Sequence, residues 1–72
     1  MSADNFIAVQ KRQGLWYVWM ESASAYTEGQ KLEPHGVDRR SFGKKSSAYK
    51  YAEKLRDGEI VEYGVIELPK VK

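Results

Sequence analysis

The chain has 72 residues, a formal net charge of +2 and no cysteine. That length fits one domain near the lower limit of independent folding, where a single core leaves only ~3–5 kcal/mol of net stability. Disulfides and thiolate metal sites are excluded, and a lone histidine, His35, cannot build a zinc site by itself.

The longest apolar run, LWYVWM at residues 15–20, is far short of the ~20 residues that cross a bilayer. The first five residues carry no basic segment followed by an apolar stretch, so no signal peptide is expected. These features predict a soluble, cytoplasmic, single-domain protein without cofactor or metal, with residues 1–5 and 69–72 as flexible tails. Charge is unevenly spread. Residues 37–56 hold seven Lys or Arg against two acids, a local balance of +5, while residues 57–68 hold four acids and no base. Such asymmetry sets up a local field that attracts an anionic partner, although charge runs are also ordinary features of solvated helices and loops.

Residues 6–12, FIAVQKR, and 15–22, LWYVWMES, read as two strands joined by Gln13-Gly14. Two residues with glycine second suit a tight hairpin turn, which needs positive φ. The register then follows: Arg12 faces Leu15, Lys11 faces Trp16, Val9 faces Val18 and Ile7 faces Met20. Because side chains alternate, Ile7, Val9, Trp16, Val18 and Met20 form an apolar core face, with Lys11 at its edge. Phe6, Ala8, Gln10, Leu15, Tyr17, Trp19 and Glu21 form a mixed outer face. On this reading Trp16 is a core residue, and Trp16→Ala is expected to cost ~3–5 kcal/mol.

Residues 23–36 are polar, broken by Gly29, Pro34 and Gly36, and predict a long loop that is mobile or functional. Residues 37–42, VDRRSF, suggest a short third strand ended by Gly43. Ser46 or Ser47 suits a helix N-cap, and Ala48, Tyr51, Ala52 and Leu55 then recur at helical spacing up to Gly58. Residues 59–68, EIVEYGVIEL, read as a last strand with a bulge at Gly64, ended by Pro69. The expected fold is a small α+β domain of order β-β-(β)-α-β: an antiparallel sheet with one helix on one face and the other face open.

Catalysis is not expected. His35 reads as an exposed loop residue, and Glu59, Glu62 and Glu67 alternate with apolar residues as on an ordinary solvent face. The step Gly43-Lys44-Lys45-Ser46 lacks the upstream glycine of a phosphate-binding loop. A helix start at Ser46 or Ser47, preceded by Arg39, Arg40, Lys44 and Lys45, suits a phosphate, though serine caps beside lysines are common. Phe6, Tyr17 and Trp19 on an open face would offer rings for unstacked bases, with Lys11 and Arg12 nearby. A duplex alternative places the sheet in the major groove. Two other readings stay open: the loop of residues 23–36 covers this face, or the face is an interface between copies.

The stretch DRRSFGKKSSAYKYAEKL, residues 38–55, resembles the end of the sheet and the helix in arm-type, AP2-like DNA-binding modules of phage integrases. Trp16, Phe42, Lys45, Ser46, Ala48 and Ala52 match that outline, over about half the chain. The resemblance implies a three-stranded sheet in the major groove, with Lys11, Arg12, Arg39 and Arg40 as groove contacts. The longer loop and the strand after the helix depart from that pattern.

The sequence thus predicts a non-enzymatic binding domain. Its nucleic-acid contacts are expected at Lys11, Arg12, Tyr17, Trp19, Arg39, Arg40, Lys44 and Lys45. The alternative is a protein-interaction module or homodimer centred on Tyr17 and Trp19, of the kind a phage or mobile element directs at a host protein.

Overall fold

The computed structural model describes residues 4–58 and 61–71. Strand β1 (Asn5–Arg12) and strand β2 (Leu15–Ser22) form the expected hairpin, followed by a short helix α1 (Ala23–Thr27), strand β3 (Arg40–Phe42), the main helix α2 (Lys45–Gly58) and strand β4 (Val65–Glu67). At the turn Gln13 and Gly14 take φ of 51° and 84°, the left-handed pair that matches hairpin twist. The observed register runs from Arg12↔Leu15 to Asn5↔Ser22, residue for residue that of a two-residue loop.

The sheet is mixed rather than antiparallel, in the order β3-β2-β1-β4. β1 and β2 pair antiparallel, as do β2 and β3, whereas β4 runs parallel to β1. The reason is the crossover. α2 carries the chain back along the sheet, so β4 starts at the end where β3 started and runs the same way as β3 and β1. The expected third strand shortens to three residues. The last strand shortens likewise: Gly64 sits just before β4, its carbonyl accepting from the Ile7 amide at 2.8 Å. The start of the expected last strand, Glu59 and Ile60, lies outside the described residues.

The first core is the one the alternation predicts. Ile7, Val9 and Val18 meet Ala48, Ala52 and Leu55 of α2, with Trp16, Met20, Phe42, Tyr51 and Val65 partly buried around them. The helix begins one step earlier than its serines suggest. The Lys44 carbonyl accepts from the Ala48 amide (3.2 Å), which leaves Ser46 and Ser47 inside the first turn.

The outer face is not open. Phe6, Ala8, Trp19 and Leu68 form a second core, flanked by Tyr17, Ala23, Leu32 and Ile66. Phe6 and Trp19 are both 0% exposed. Their cover is α1 and the strap of residues 28–39. Tyr26 sets its ring 5.5 Å from that of Phe6. α1 ends in a reversal at Gly29 (φ 74°), where the Gln30 amide reaches back to the Ala25 carbonyl and the Gly29 amide to that of Tyr26. The indole Nε1 of Trp19 donates to Glu21 Oε1 at 2.8 Å, so the buried ring leaves no orphan donor.

The segment expected as a C-terminal tail is paired up to Val71. Leu68 N donates to Val9 O (2.8 Å), Val71 N to Lys11 O (3.0 Å), and Gln10 Nε2 to Pro69 O (2.9 Å). Of the other expected tail, Met1 to Ala3 lie outside the described residues, while Asn5 already belongs to β1 and the Asp4 carbonyl accepts from Ala23 N (3.0 Å). Among the described residues no helix is long and apolar enough to cross a membrane.

These positions reorder the two tryptophans, since Trp19 is buried completely and Trp16 only in part. Trp19→Phe removes the donor to Glu21 and should cost ~1–3 kcal/mol. Trp16→Phe truncates a ring that is only partly buried and should cost less, below ~1.5 kcal/mol. Urea unfolding followed by circular dichroism gives the ranking; equal midpoints for the two variants would contradict it.

Candidate nucleic-acid interface

The crossover decides where the basic residues collect. β1 ends at Lys11 and Arg12, opposite Trp16 and Leu15. Phe42 pairs with Trp16 at the same end, and Lys44 and Lys45 follow it into α2. β4 also runs toward this end, where Val71 bridges to Arg12 and brings Lys70 alongside. The hairpin-tip end of the sheet therefore gathers Lys11, Arg12, Lys44, Lys45 and Lys70. The amino end of α2 lies here too and adds the positive pole of its dipole.

The opposite end is mixed in charge, with Asp4 and Glu62 near Asn5 and Arg56 in the last turn of α2. Asn5 accepts there from the amides of Glu62 (3.2 Å, at its side-chain oxygen) and Tyr63 (3.2 Å, at its carbonyl). The Tyr63 hydroxyl titrates above its ordinary value, chiefly because it hydrogen-bonds Glu62, with the charges of Glu62 and Asp4 adding to the effect. The charge asymmetry of the sequence is not carried intact onto the strand axis, since Arg56 of the basic segment ends α2 away from the tip and Glu67 of the acidic segment lies beside Lys45 at the tip.

On the α2 side of the tip, Trp16 is half-buried, with Lys11 Nζ 5.9 Å and Lys45 Nζ 5.3 Å from its ring. Lys45 also stands 5.8 Å from the Tyr49 ring and 3.3 Å from Glu67 Oε1. The Tyr49 hydroxyl donates to the same Glu67 oxygen. This donation is the largest cause holding the Glu67 carboxyl below its ordinary range. Lys45 works in the same direction and slight burial opposes it. Tyr49 itself is pushed up to about 12, by burial first and then by Glu67.

The other expected contacts lie on the strap side or along the edge. Arg12 anchors the strap to β1: Nη1 donates to Leu32 O (3.3 Å) and to Gln10 Oε1 (3.1 Å), and Nη2 stands 3.7 Å from Glu33. Arg39 and Tyr17 line a polar cleft with Arg12, Gln13, Glu33 and Pro34. Arg40 turns toward α2, its guanidinium 5.9 Å from the Tyr51 ring and bonded to the Val37 carbonyl at 3.1 Å. The eight expected residues therefore do not make one patch. Lys11, Lys44 and Lys45 meet at the tip, Arg12, Tyr17 and Arg39 border it on the strap side, and Arg40 lies on the β3 edge. Trp19 leaves the set, because strap and α1 shut it away from any base.

Two features escaped the sequence. Lys70 and Tyr49 reach the tip only through the crossover, and spacing along the chain gives no sign of it. Glu21 is a buried carboxylate, 7% exposed, that accepts from the Trp19 indole, from the Ser22 amide (3.0 Å) and, at 3.2 Å, stands against His35 Nε2. The alternation of Trp19 and Glu21 on one strand face was its available signal. His35 is 59% exposed, as expected of a loop residue, yet it ties the strap to the sheet. Among the described residues every buried side-chain polar atom has a partner, and no group of three or more His, Asp or Glu is placed to hold a metal.

No protein-family model, curated protein or solved structure matches the chain.

The Glu67 contacts carry a pH dependence with a fixed sign. A carboxyl depressed in the folded state adds stability that is present above its unfolded-state value and is lost as pH falls through its folded-state value. A tyrosine raised in the folded state acts oppositely: its contribution is whole below its unfolded-state value and is lost as pH rises toward about 12. Tyr49→Phe should move the titration midpoint of Glu67, read by side-chain NMR, upward, with less than ~1 kcal/mol lost because the pair is solvent-exposed. An unmoved midpoint would show that the hydroxyl does not act on Glu67.

Proposed function

We propose that the protein is a nucleic-acid-binding module that meets the phosphate backbone with its hairpin-tip end. The observation that carries this reading is the gathering of Lys11, Lys44, Lys45 and Lys70, from three separate parts of the chain, at one end of the sheet. A local cluster of cations draws a polyanion to the tip before contact. Lysine ammonium groups at the tip then replace condensed counterions, which is the main sequence-independent source of nucleic-acid affinity.

This places the contact differently from the resemblance to integrase arm modules. A sheet that enters the major groove needs a bare outer face, and here that face packs against α1 and the strap. The tip, in contrast, presents its cations without unfolding anything. The protein-partner reading drew on an open Tyr17–Trp19 surface, and the burial of Trp19 removes that support.

The test is a salt series of mobility shifts or fluorescence anisotropy. Binding should weaken linearly in log–log form with salt, and Lys44→Glu with Lys45→Glu should abolish most of it at moderate salt. Each lost phosphate contact should reduce the slope by ~1. Affinity that is absent at low salt, or that is indifferent to salt and to these charge reversals, would refute the reading.

A further inference from the structure

We infer that the cleft beside Trp16 receives one unpaired nucleotide, so that the protein prefers single-stranded over duplex nucleic acid. The inference rests on the tip binding a nucleic-acid backbone and goes further by assigning the base a place. The cleft is lined by Lys11, Trp16, Glu67, Leu68 and Lys70. The Leu68 side chain turns away from this cleft into the strap-side core, so the cleft's apolar surface is that of the indole itself. One wall is a half-buried indole, and its rim carries ammonium groups.

The charges in the cleft are not equivalent. Glu67 is already engaged by Lys45 and Tyr49, so its carboxylate is neutralised in place. Lys45 is thereby fixed. Lys11 rests over the Trp16 ring and, among the described residues, stands in no ion pair. A cation held only by a ring face at an exposed site is weakly held. A strand entering the cleft can exchange that contact for two better ones: the base takes the ring face, and the Lys11 ammonium turns to the phosphate, with Lys70 on the opposite rim. Lys11, Lys70 and Lys45 against the one occupied carboxylate of Glu67 leave the cleft positive, which suits an anionic ligand and not a neutral or basic one, and the indole face beside those cations suits a ligand that pairs a phosphate with a flat ring.

The geometry selects against a duplex. In a double helix both faces of each base are covered by its stacked neighbours, so no face is free for the indole. An unpaired base stacks on an aromatic side chain without regard to its identity, and the preference should therefore be for strandedness and not for sequence.

Trp19 makes the test clean. It is sealed under the strap, so a ligand at the tip changes the emission of Trp16 alone. The full-length chain is titrated at low salt with labelled oligo-dT and with a dT·dA duplex of equal length, reading anisotropy and tryptophan emission together. Single strand is expected to bind about tenfold more tightly, the effect of one base–indole stack. It should quench emission in the wild type and not in Trp16→Phe, which keeps a ring in the core. Lys11→Gln should reduce the strand preference. Equal affinity for strand and duplex with unchanged emission overturns the cleft and leaves the tip as a backbone-binding end. Failure of both ligands to bind overturns the tip and the cleft together.

Discussion

The left-handed pair at Gln13 and Gly14 is the constraint from which the rest of the molecule follows. It allows two residues, and only two, between β1 and β2, and so sets every cross-strand neighbour in the hairpin. A slip of one residue would exchange the faces of one whole strand. It would set Val18 and Trp16 against the strap and offer Trp19 to the helix. The fixed register instead sends Trp16 toward α2 and Trp19 away from it. Both faces of the hairpin are apolar enough to need cover. α2 supplies one layer, and α1 with the strap supplies the other.

The second layer is thin and held by polar ties more than by mass. Arg12 holds Leu32 and Glu33, His35 meets Glu21, and Tyr51 donates to the Asp38 carbonyl from the helix side (2.7 Å). Each tie uses a group that is itself well anchored in the sheet or helix. A chain of this size cannot spare a second helix of full length for its outer face, and a laced strap is the economical alternative. The aromatic pair on that face, Phe6 and Trp19, is given over to the core and presents no exposed surface.

Much of this was legible in the residues. The hairpin announces itself through Gln13-Gly14 and the alternation on both sides. α2 announces itself through Ala48, Ala52 and Leu55. The burial of the outer face was not legible, because Phe6, Ala8 and Trp19 interleaved with Gln10 and Glu21 spell the same pattern whether water or a polar strap lies above them. α1 is five residues long with no side-chain cap, too short for periodicity to register. The direction of β4 depends on the path of α2, and local sequence does not encode a path. For the same reason Lys44 and Lys45 were visible as a basic step, whereas Lys70 and Tyr49 join them only in three dimensions.

The pairing of β4 and Val71 with β1 has a consequence for how the sheet is guarded. β1 is the most deeply buried strand, and on its far side it would present a row of free amides and carbonyls, a template for any other extended chain. The segment that closes this side arrives from far along the sequence, with Gln10 and Pro69 joined across 59 residues. Nearly the whole chain must be looped before that side is sealed. Resistance to edge-to-edge association is therefore a property of the completed domain and not of the hairpin. Loosening the last paired residues would expose the strand that can least afford a stranger beside it.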